Sequence, residues 1–346
     1  MKRNNDMKHL SYHYIVTLLA ACLLSATFAG CTREADEPVA DGCTATIRLD
    51  IPMLEATTRI TTPTKEQESQ INLLRIIILS QGATSINQTF TANDLTGGSI
   101  TIDNVPVGPV QMYVIANEAS LGKDYSDLKT LQADIEQETG KVHIHDDKRE
   151  HFPKRGSATE FPAKGLPMSW MDKNLTIEPP TAGTPQTVSV NLERTVAKLN
   201  ILMSNALTDA ITIDQMLFGP FFGNCLYLFA EQNLDVPDDT GYDSKQYTGL
   251  SIEIPGGETA QLTLYIYPSF AWTDPEAVSP YTIGFHTKAG KEYLPQSFVD
   301  KNGAINSIAR NTQVNIHATL STPANVEISF EVVPWAEKNV EVPPFN

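Results

Sequence analysis

Short segments in which apolar and polar residues alternate recur along this chain of 346 residues, and no other feature constrains its fold as strongly. Thr187–Leu192 and Val326–Val332 alternate residue by residue, which is typical of strands that bury one face. Ile71–Ser80 is almost uniformly apolar and predicts a strand covered on both faces. Further segments rich in β-branched and aromatic residues are Val110–Asn117, Val196–Met203, Ile211–Phe218, Gln261–Tyr267, Tyr281–His286 and Thr312–Leu320.

One segment has the spacing of a helix instead. In Ser126–Ile135 the residues Leu128, Leu131 and Ile135 lie on one side, and either of the first two residues of the segment can cap it. Strands dominate the rest of the chain. The sequence therefore predicts an all-β fold of β-sandwiches with one short helix.

The chain is long enough for two domains that each bury a core of their own. The proline-rich loop Glu178–Pro185 precedes a fresh run of strands that begins near Glu193 and Arg194. We therefore expect an N-terminal sandwich over residues 60–193 and a C-terminal sandwich over residues 194–346.

The N-terminus has the pattern of an export signal. Three basic residues precede the apolar run Tyr14–Phe28, and the small pair Ala29-Gly30 then leads into Cys31. This order predicts a lipoprotein signal peptide over residues 1–30, cleaved between Gly30 and Cys31, with acylation of the Cys31 thiol and tethering to a bilayer. The alternatives are an ordinary signal peptide with an incidental cysteine, and cleavage before Cys22, which would leave an apolar stub on the mature chain.

Charge and cysteine content limit the function classes. The net charge is −16, and removal of residues 1–30 takes away three basic residues and one acidic residue, which leaves −18. Such an acidic exported chain is poorly suited to bind nucleic acid. Beyond the signal and Cys31, only Cys43 and Cys225 remain, and they allow a single bridge or a buried free thiol at Cys225.

A removable strand is predicted directly behind the lipid site. Ile47, Leu49 and Ile51 share one face of Thr44–Ile51, so this segment reads as an edge strand with one buried side. The polar segment that follows contains Arg59, and a trypsin-like protease would find it there. Cleavage between Arg59 and Ile60 would release residues 31–59 as a leader. Arg48 is a rival cut site, but the strand should shield it.

Loss of that strand would open an apolar groove with unpaired backbone groups, which is a template for a strand of another molecule. The candidate donor strand alternates through Val326, Ile328, Phe330 and Val332, and Val340–Val342 alternates again. The other interpretation is that these residues complete their own sandwich.

At this point the chain resembles a known family, the Bacteroidales fimbrillins, which are the subunits of the type V pilus. The resemblance spans most of the mature chain, and it depends on the ordered segments Cys31, Thr58–Thr61 ahead of Ile71–Leu79, Leu166–Ser169, Arg194–Leu199, Leu264–Pro268 and Val332–Trp335. The Phe28 before the lipid site departs from the usual Leu.

The resemblance implies two transthyretin-like β-sandwich domains in a lipoprotein that carries palmitate on Cys31. It also implies trimming after Arg59 and polymerisation by donor-strand exchange at the outer membrane and in a surface fimbrium. The implied partners are other fimbrial subunits and a trypsin-like protease, and the implied role includes cell adhesion.

Catalysis and cofactors find no support in the sequence, which lacks a nucleophile elbow, a zinc-protease helix and a phosphate-binding glycine loop. His143, His145 and His151 are the best metal-like group, but charged neighbours favour a solvated loop. Asp235, Asp238, Asp239 and Asp243 miss the spacing of a calcium loop.

We therefore expect a structural subunit of a fimbrium, without enzymatic activity, cofactor or metal. Two alternatives stay open. The first is a surface glycan-binding lipoprotein that is never trimmed and presents Trp170, Trp272 or Trp335 to sugar rings. The second is an uncut anchor or accessory subunit of the fimbrial system.

Overall fold

A computed structural model describes residues 43–51, 65–95, 97–140, 144–145, 161–181, 184–229, 242–269, 281–321 and 326–335. Strands make up most of these residues, and α2 (Leu128–Gly140) is the longest helix among them. The all-β prediction is confirmed.

The described elements follow the chain in two groups. The first half contains β1 (Thr44–Asp50), α1 (Lys65–Glu68), β2 (Leu73–Ser80), β3 (Ala83–Thr91), β4 (Ser99–Pro106), β5 (Gly108–Ala116), α2, β6 (Ile144–His145), α3 (Phe161–Lys164), β7 (Met168–Ile177), β8 (Gln186–Ser189) and β9 (Glu193–Arg194). The second half contains β10 (Ala197–Asn205), β11 (Ile211–Gly223), β12 (Cys225–Leu226), β13 (Tyr242–Tyr247), β14 (Ile252–Ile254), β15 (Thr259–Ile266), β16 (Thr282–Thr287), β17 (Glu292–Ser297), β18 (Val299–Asp300), β19 (Gly303–Ala304), β20 (Thr312–Leu320) and β21 (Val326–Pro334).

The first sandwich pairs a five-stranded sheet with a three-stranded one. The larger sheet has the order β3-β2-β5-β7-β9, and the smaller has the order β4-β1-β8. Ile47 and Leu49 of β1 share one core with Leu74, Ile76 and other inward residues of the larger sheet. This core draws its buried residues from positions 45–190.

The second sandwich has a four-stranded sheet in the order β15-β10-β20-β21 and a second sheet in the order β13-β11-β16-β17, with β14 also paired to β11. Its core draws on both sheets, and the buried residues lie between positions 197 and 330. In strand β10 the residues alternate strictly between buried and partly buried. This is the period expected of a strand that turns one face into a core.

A third apolar cluster joins the two sandwiches. Strand β2 points Ile76 and Ile78 into the first core and Ile77 into this third cluster, so the prediction that it is covered on both faces is confirmed. Leu131 of α2 and Tyr265 of β15 lie in the same third cluster. The border near Glu193 and Arg194 falls in the short stretch between the two cores, and the division at 193/194 remains our proposal.

The predicted helix is present and begins at a cap. The Asp127 carboxylate Oδ1 accepts the backbone N–H of Lys129 at 2.9 Å, which satisfies one of the free donors of the first turn of α2. In the described part of the chain, no helix combines the length and hydrophobicity that crossing a membrane requires.

Candidate assembly site

Strand β1 lies in the middle of its sheet. It runs antiparallel to β4, with Ile47 opposite Ile102 and Leu49 opposite Ile100. On its other side it runs parallel to β8, where Leu49 lies opposite Val188. The prediction of an edge strand is therefore wrong. A period-two pattern shows that one face is buried, but it carries no information on whether a strand has one hydrogen-bonded neighbour or two.

The hydrogen bonding of this sheet continues to both ends of β1. The backbone N–H of Val107 donates to the Cys43 carbonyl at 3.0 Å, and the N–H of Ile51 donates to the Gly98 carbonyl at 2.7 Å. On the β8 side, the N–H of Val190 donates to the Asp50 carbonyl at 2.9 Å. The strand is thus bonded from the first described residue to the residue before the next undescribed segment.

The two faces of β1 differ as predicted. Ile47 and Leu49 are fully buried, and Ala45 and Ile51 are nearly so. On the outer face the Arg48 Nε lies 2.8 Å from the Asp50 carboxylate, and both side chains are about half exposed, at 52% and 45%. The apolar face of β1 therefore fills the first core, while its polar face is open to solvent.

The predicted processing sites lie outside the described residues. This applies to Gly30 and Cys31 at the lipid site and to Arg59 and Ile60 at the cut site. Cys43 is disulfide-bonded. The side chain of Cys225 lies outside the described part, so neither the bridge to Cys43 nor the buried free thiol expected at Cys225 is tested.

The candidate donor strand occupies its own sandwich as β21. It forms the edge of its sheet and pairs antiparallel with β20 along its whole length, from Val326 opposite Leu320 to Pro334 opposite Thr312. Phe330 is buried and stacks on Phe298 with ring centroids 4.3 Å apart. The side chains of Val326, Ile328 and Val332 are partly buried against the same core.

Directly after β21, Trp335 is 8% exposed and lies in the cluster between the two sandwiches. Its indole is stacked on Tyr265 at a centroid distance of 5.8 Å, and the Arg194 guanidinium lies 4.5 Å from the indole centroid. This tryptophan is therefore not a solvent-facing platform for sugars. Trp170 is packed against the first core, and Trp272 lies outside the described residues.

A buried carboxylate stands beside Trp335. Glu68, at the end of α1, is 2% exposed. Its Oε2 accepts the indole N–H of Trp335 at 3.1 Å, while its Oε1 accepts the Tyr265 hydroxyl at 2.7 Å and lies 2.6 Å from the Lys198 ammonium. We call Glu68, Arg194, Lys198, Tyr265 and Trp335 the Glu68 cluster.

Electrostatics reinforce these contacts. Burial, and then the negative charge of Glu68, raise the pKa of Tyr265 above its usual range, so the phenol keeps its proton and donates it. Arg194 donates from Nε to the Glu68 carbonyl at 3.0 Å. The cluster thus ties the end of α1, the start of the second sandwich and the residue after β21 to one point.

Sequence reasoning did not find this cluster. Lys198, Tyr265 and Trp335 lie in segments on which the family resemblance depends, but the resemblance gave them no role. Glu68 sits in the charged run Lys65-Glu66-Gln67-Glu68, which reads as a solvated surface. Nothing local separates it from Glu66.

A cavity of about 750 Å³ lies beside the start of β1. Its walls come from β1, β4, β8 and the loop between β7 and β8, including Thr44, Asn104, Glu178, Pro180 and Gln186. Within the described ranges no three His, Cys, Asp or Glu side chains gather as metal ligands would. Of the metal-like group from the sequence, only His145 is described, in β6.

The comparisons with known proteins settle the family. The model of the family described as fimbrillin-A associated anchor proteins Mfa1 and Mfa2 matches residues 40–341. The chain belongs to this family. It is a fimbrial protein of the cell surface, not an enzyme, and the predicted resemblance to Bacteroidales fimbrial proteins is confirmed.

Solved structures share the fold of this fimbrial protein. The tip fimbrial protein Mfa3 of Porphyromonas gingivalis, solved with a C-terminal truncation, is 14% identical with a TM-score of 0.53, over 85% of this chain and 99% of that one. A cell adhesion protein from Bacteroides eggerthii is 13% identical with a TM-score of 0.51, over 85% of this chain and 97% of that one. No curated protein sequence matches the chain.

Proposed function

We propose that this protein is a structural subunit of a surface fimbrium that joins other subunits by donor-strand exchange and contributes to adhesion. In this proposal the chain is exported through the periplasm as a lipoprotein, acylated at Cys31 and held at the outer membrane. A trypsin-like protease then trims it between Arg59 and Ile60. The observation that carries the proposal is the position of β1, which is buried between β4 and β8.

A strand in the middle of a sheet is a better removable part than the edge strand expected from the sequence. Its removal exposes the inner edges of both β4 and β8, so an incoming strand can pair on two sides. The same removal empties the core positions of Ile47, Leu49 and Ile51. Burial of each large apolar side chain from a donor would contribute about 1.5–3 kcal/mol.

A cut at Arg59 lies at a suitable place for this release. The residue falls in the segment that links the end of β1 to the start of α1. Cleavage there separates β1 from the rest of its sandwich in the chain, so that β1 can leave together with its lipid while the remaining elements keep their covalent connections.

The candidate donor has matching periodicity. Val326, Ile328, Phe330 and Val332 recur at every second position, as do the buried residues 45, 47 and 49 of β1 and Ile51 directly after it. Because β21 is an edge strand, it has one ladder to break before it can be donated. The position that β1 vacates between β4 and β8 would offer the donor strand two ladders of backbone hydrogen bonds.

The test is mass spectrometry of fimbriae sheared from cells that export the chain. The expected subunit starts at Ile60. Arg59→Ala should remove that terminus and stop assembly, whereas the matched variant Arg48→Ala, which loses only a half-exposed ion pair, should leave both intact. Fimbriae built from chains that still start at Cys31 would contradict trimming and strand exchange together.

Lipidation has its own test. Cells fed a palmitate analogue should label the wild-type chain, and Cys31→Ser should abolish the label. Cys22→Ser is the matched control because it removes a cysteine of the signal peptide only. Labelling that persists in Cys31→Ser would refute acylation at this residue.

A second candidate is an anchor or accessory subunit that is not trimmed. Two observations favour it: β21 completes its own sandwich with Trp335 buried behind it, and the family description names anchor proteins. In that case β1 stays in place and the subunit ends a fimbrium at the membrane. Full-length lipidated chain at the base of fimbriae made of other subunits would favour this function over the first.

A further inference from the structure

We propose that Glu68 and Trp335 form a latch that retains β21 in its own sandwich, and that opening of this latch controls when the C-terminal strand becomes available to a second subunit. The inference deepens the proposed function and rests on it for the role of β21 as a donor.

The latch acts at the point where β21 would begin to peel away. Antiparallel pairing places Pro334, the last residue of β21, opposite Thr312, the first residue of β20. The next residue, Trp335, donates its backbone N–H to the Asn311 carbonyl at 2.9 Å, and its side chain lies in the cluster between the two sandwiches. A strand that leaves from its C-terminal end must therefore first withdraw Trp335.

Withdrawal of Trp335 breaks several contacts at once. The indole N–H loses its bond to the buried Glu68 carboxylate, and the ring loses its stack on Tyr265 and the Arg194 guanidinium over it. Hydrogen bonds to a buried ionised group are among the stronger ones in proteins, because neither partner is solvated by water. Trp335, directly after β21, thus holds the strand more firmly than its edge position suggests.

The carboxylate is held independently of the tryptophan. Tyr265 and Lys198 both contact Oε1 of Glu68, and Arg194 fixes the backbone carbonyl of the same residue. The acceptor for Trp335 is therefore preorganised on the body of the molecule, on α1 and on elements that stay in place when β21 moves. This asymmetry is what a latch needs: one fixed part and one part that travels with the strand.

Hydrogen exchange on the unassembled, full-length chain tests the latch without any fimbria. Trp335→Phe keeps an aromatic ring but removes the donor to Glu68. We expect the amides of β21 to exchange about 10- to 100-fold faster, as the loss of one hydrogen bond to a charged group implies, while those of β10, in the middle of the same sheet, keep their rate.

Trp170→Phe is the matched control, since it makes the same chemical change in the first sandwich. It should leave exchange in β21 unchanged. Equal acceleration of β10 and β21 in Trp335→Phe would mean that Trp335 supports the whole domain and would overturn the latch. Unchanged exchange in β21 would overturn it as well.

Assembly of trimmed subunits then tests control over donation. The Trp335→Phe subunit should polymerise sooner than wild type at equal concentration. If β21 exchanges faster but polymerisation keeps its wild-type rate, the latch does not control donation and this part of the proposal is overturned. Failure to find the Ile60 terminus would sink the proposed function instead, and it would leave the exchange result intact.

Discussion

The first strand of the N-terminal sandwich and the last strand of the C-terminal sandwich have the same alternating pattern but are held differently. β1 is bonded to β4 and β8 and has two fully buried residues, Ile47 and Leu49. β21 is bonded to β20 alone, and most of its apolar side chains are partly buried. Under the proposed strand exchange, the difference means that loss of β1 would leave a position with a hydrogen-bonding edge on each side, whereas release of β21 would break the pairing with β20 alone.

The largest expected effect on stability comes from a charge placed on the buried face of β1. Leu49→Asp should lower the free energy of unfolding of the uncut chain by about 3–5 kcal/mol, because the new carboxylate is buried without a partner. Denaturant unfolding followed by circular dichroism measures this. The control Arg48→Gln, one residue away on the outer face, should cost no more than about 1 kcal/mol. A mild effect of Leu49→Asp would show that β1 is not held in the core.

A smaller effect sharpens the comparison between the two strands. Leu49→Ala should cost about 2–5 kcal/mol, as expected for a leucine removed from a packed core. Ile328→Ala on β21 should cost only about 1 kcal/mol, because that side chain is partly buried on an edge strand. The midpoint and slope of denaturant unfolding give both values. Equal losses of stability in the two variants would contradict the inference that β1 is held more firmly than β21.

The smallest expected effect is a difference in acid sensitivity. The backbone N–H and hydroxyl of Thr91 donate to Asp94 at 2.7 and 2.8 Å, which holds the pKa of that carboxyl below its usual value of 3.8. The folded state therefore binds fewer protons than the unfolded one. The stabilisation is complete above the unfolded pKa and is lost as the pH falls through the folded one.

Asp94→Asn should accordingly flatten the pH dependence of stability of the first sandwich below about pH 4. A series of denaturant melts between neutral and acidic pH detects this change. Thr91→Ala removes only the hydroxyl donor to Asp94 and keeps the backbone donor, so it should flatten the profile less than Asp94→Asn does. An identical acid profile for wild type and Asp94→Asn would contradict the pKa shift.

Local sequence predicts the strands better than it predicts their neighbours. The alternation of Val326–Val332, the uniform apolarity around Ile76–Ile78 and the cap at Asp127 all correspond to observed elements, because each depends on residues close in sequence. The sequence pattern does not predict β3, because this strand consists largely of Thr, Ser, Asn and Gln and lacks alternating apolar residues.

Only part of the candidate site could be predicted, because local patterns depend on residues that are close in sequence. The buried face of β1 could be read from Ile47 and Leu49, but its place between β4 and β8 depends on a parallel pairing with a strand far along the chain. The Glu68 cluster likewise gathers residues from α1, β10, β15 and the end of the described chain. No local pattern reports such an assembly of distant residues.

The parallel pairing of β1 with β8 also has a consequence for how the protein reaches its native state. β1 precedes every other described strand in the chain, and Asp50 pairs with Ser99 of β4 on one side, yet its partner on the other side is Ser189. Contacts between residues so far apart in sequence form slowly, and an apolar strand without its neighbours is prone to aggregate. The apolar face of β1 must therefore be kept from wrong partners until the chain as far as β8 is available to pair with it.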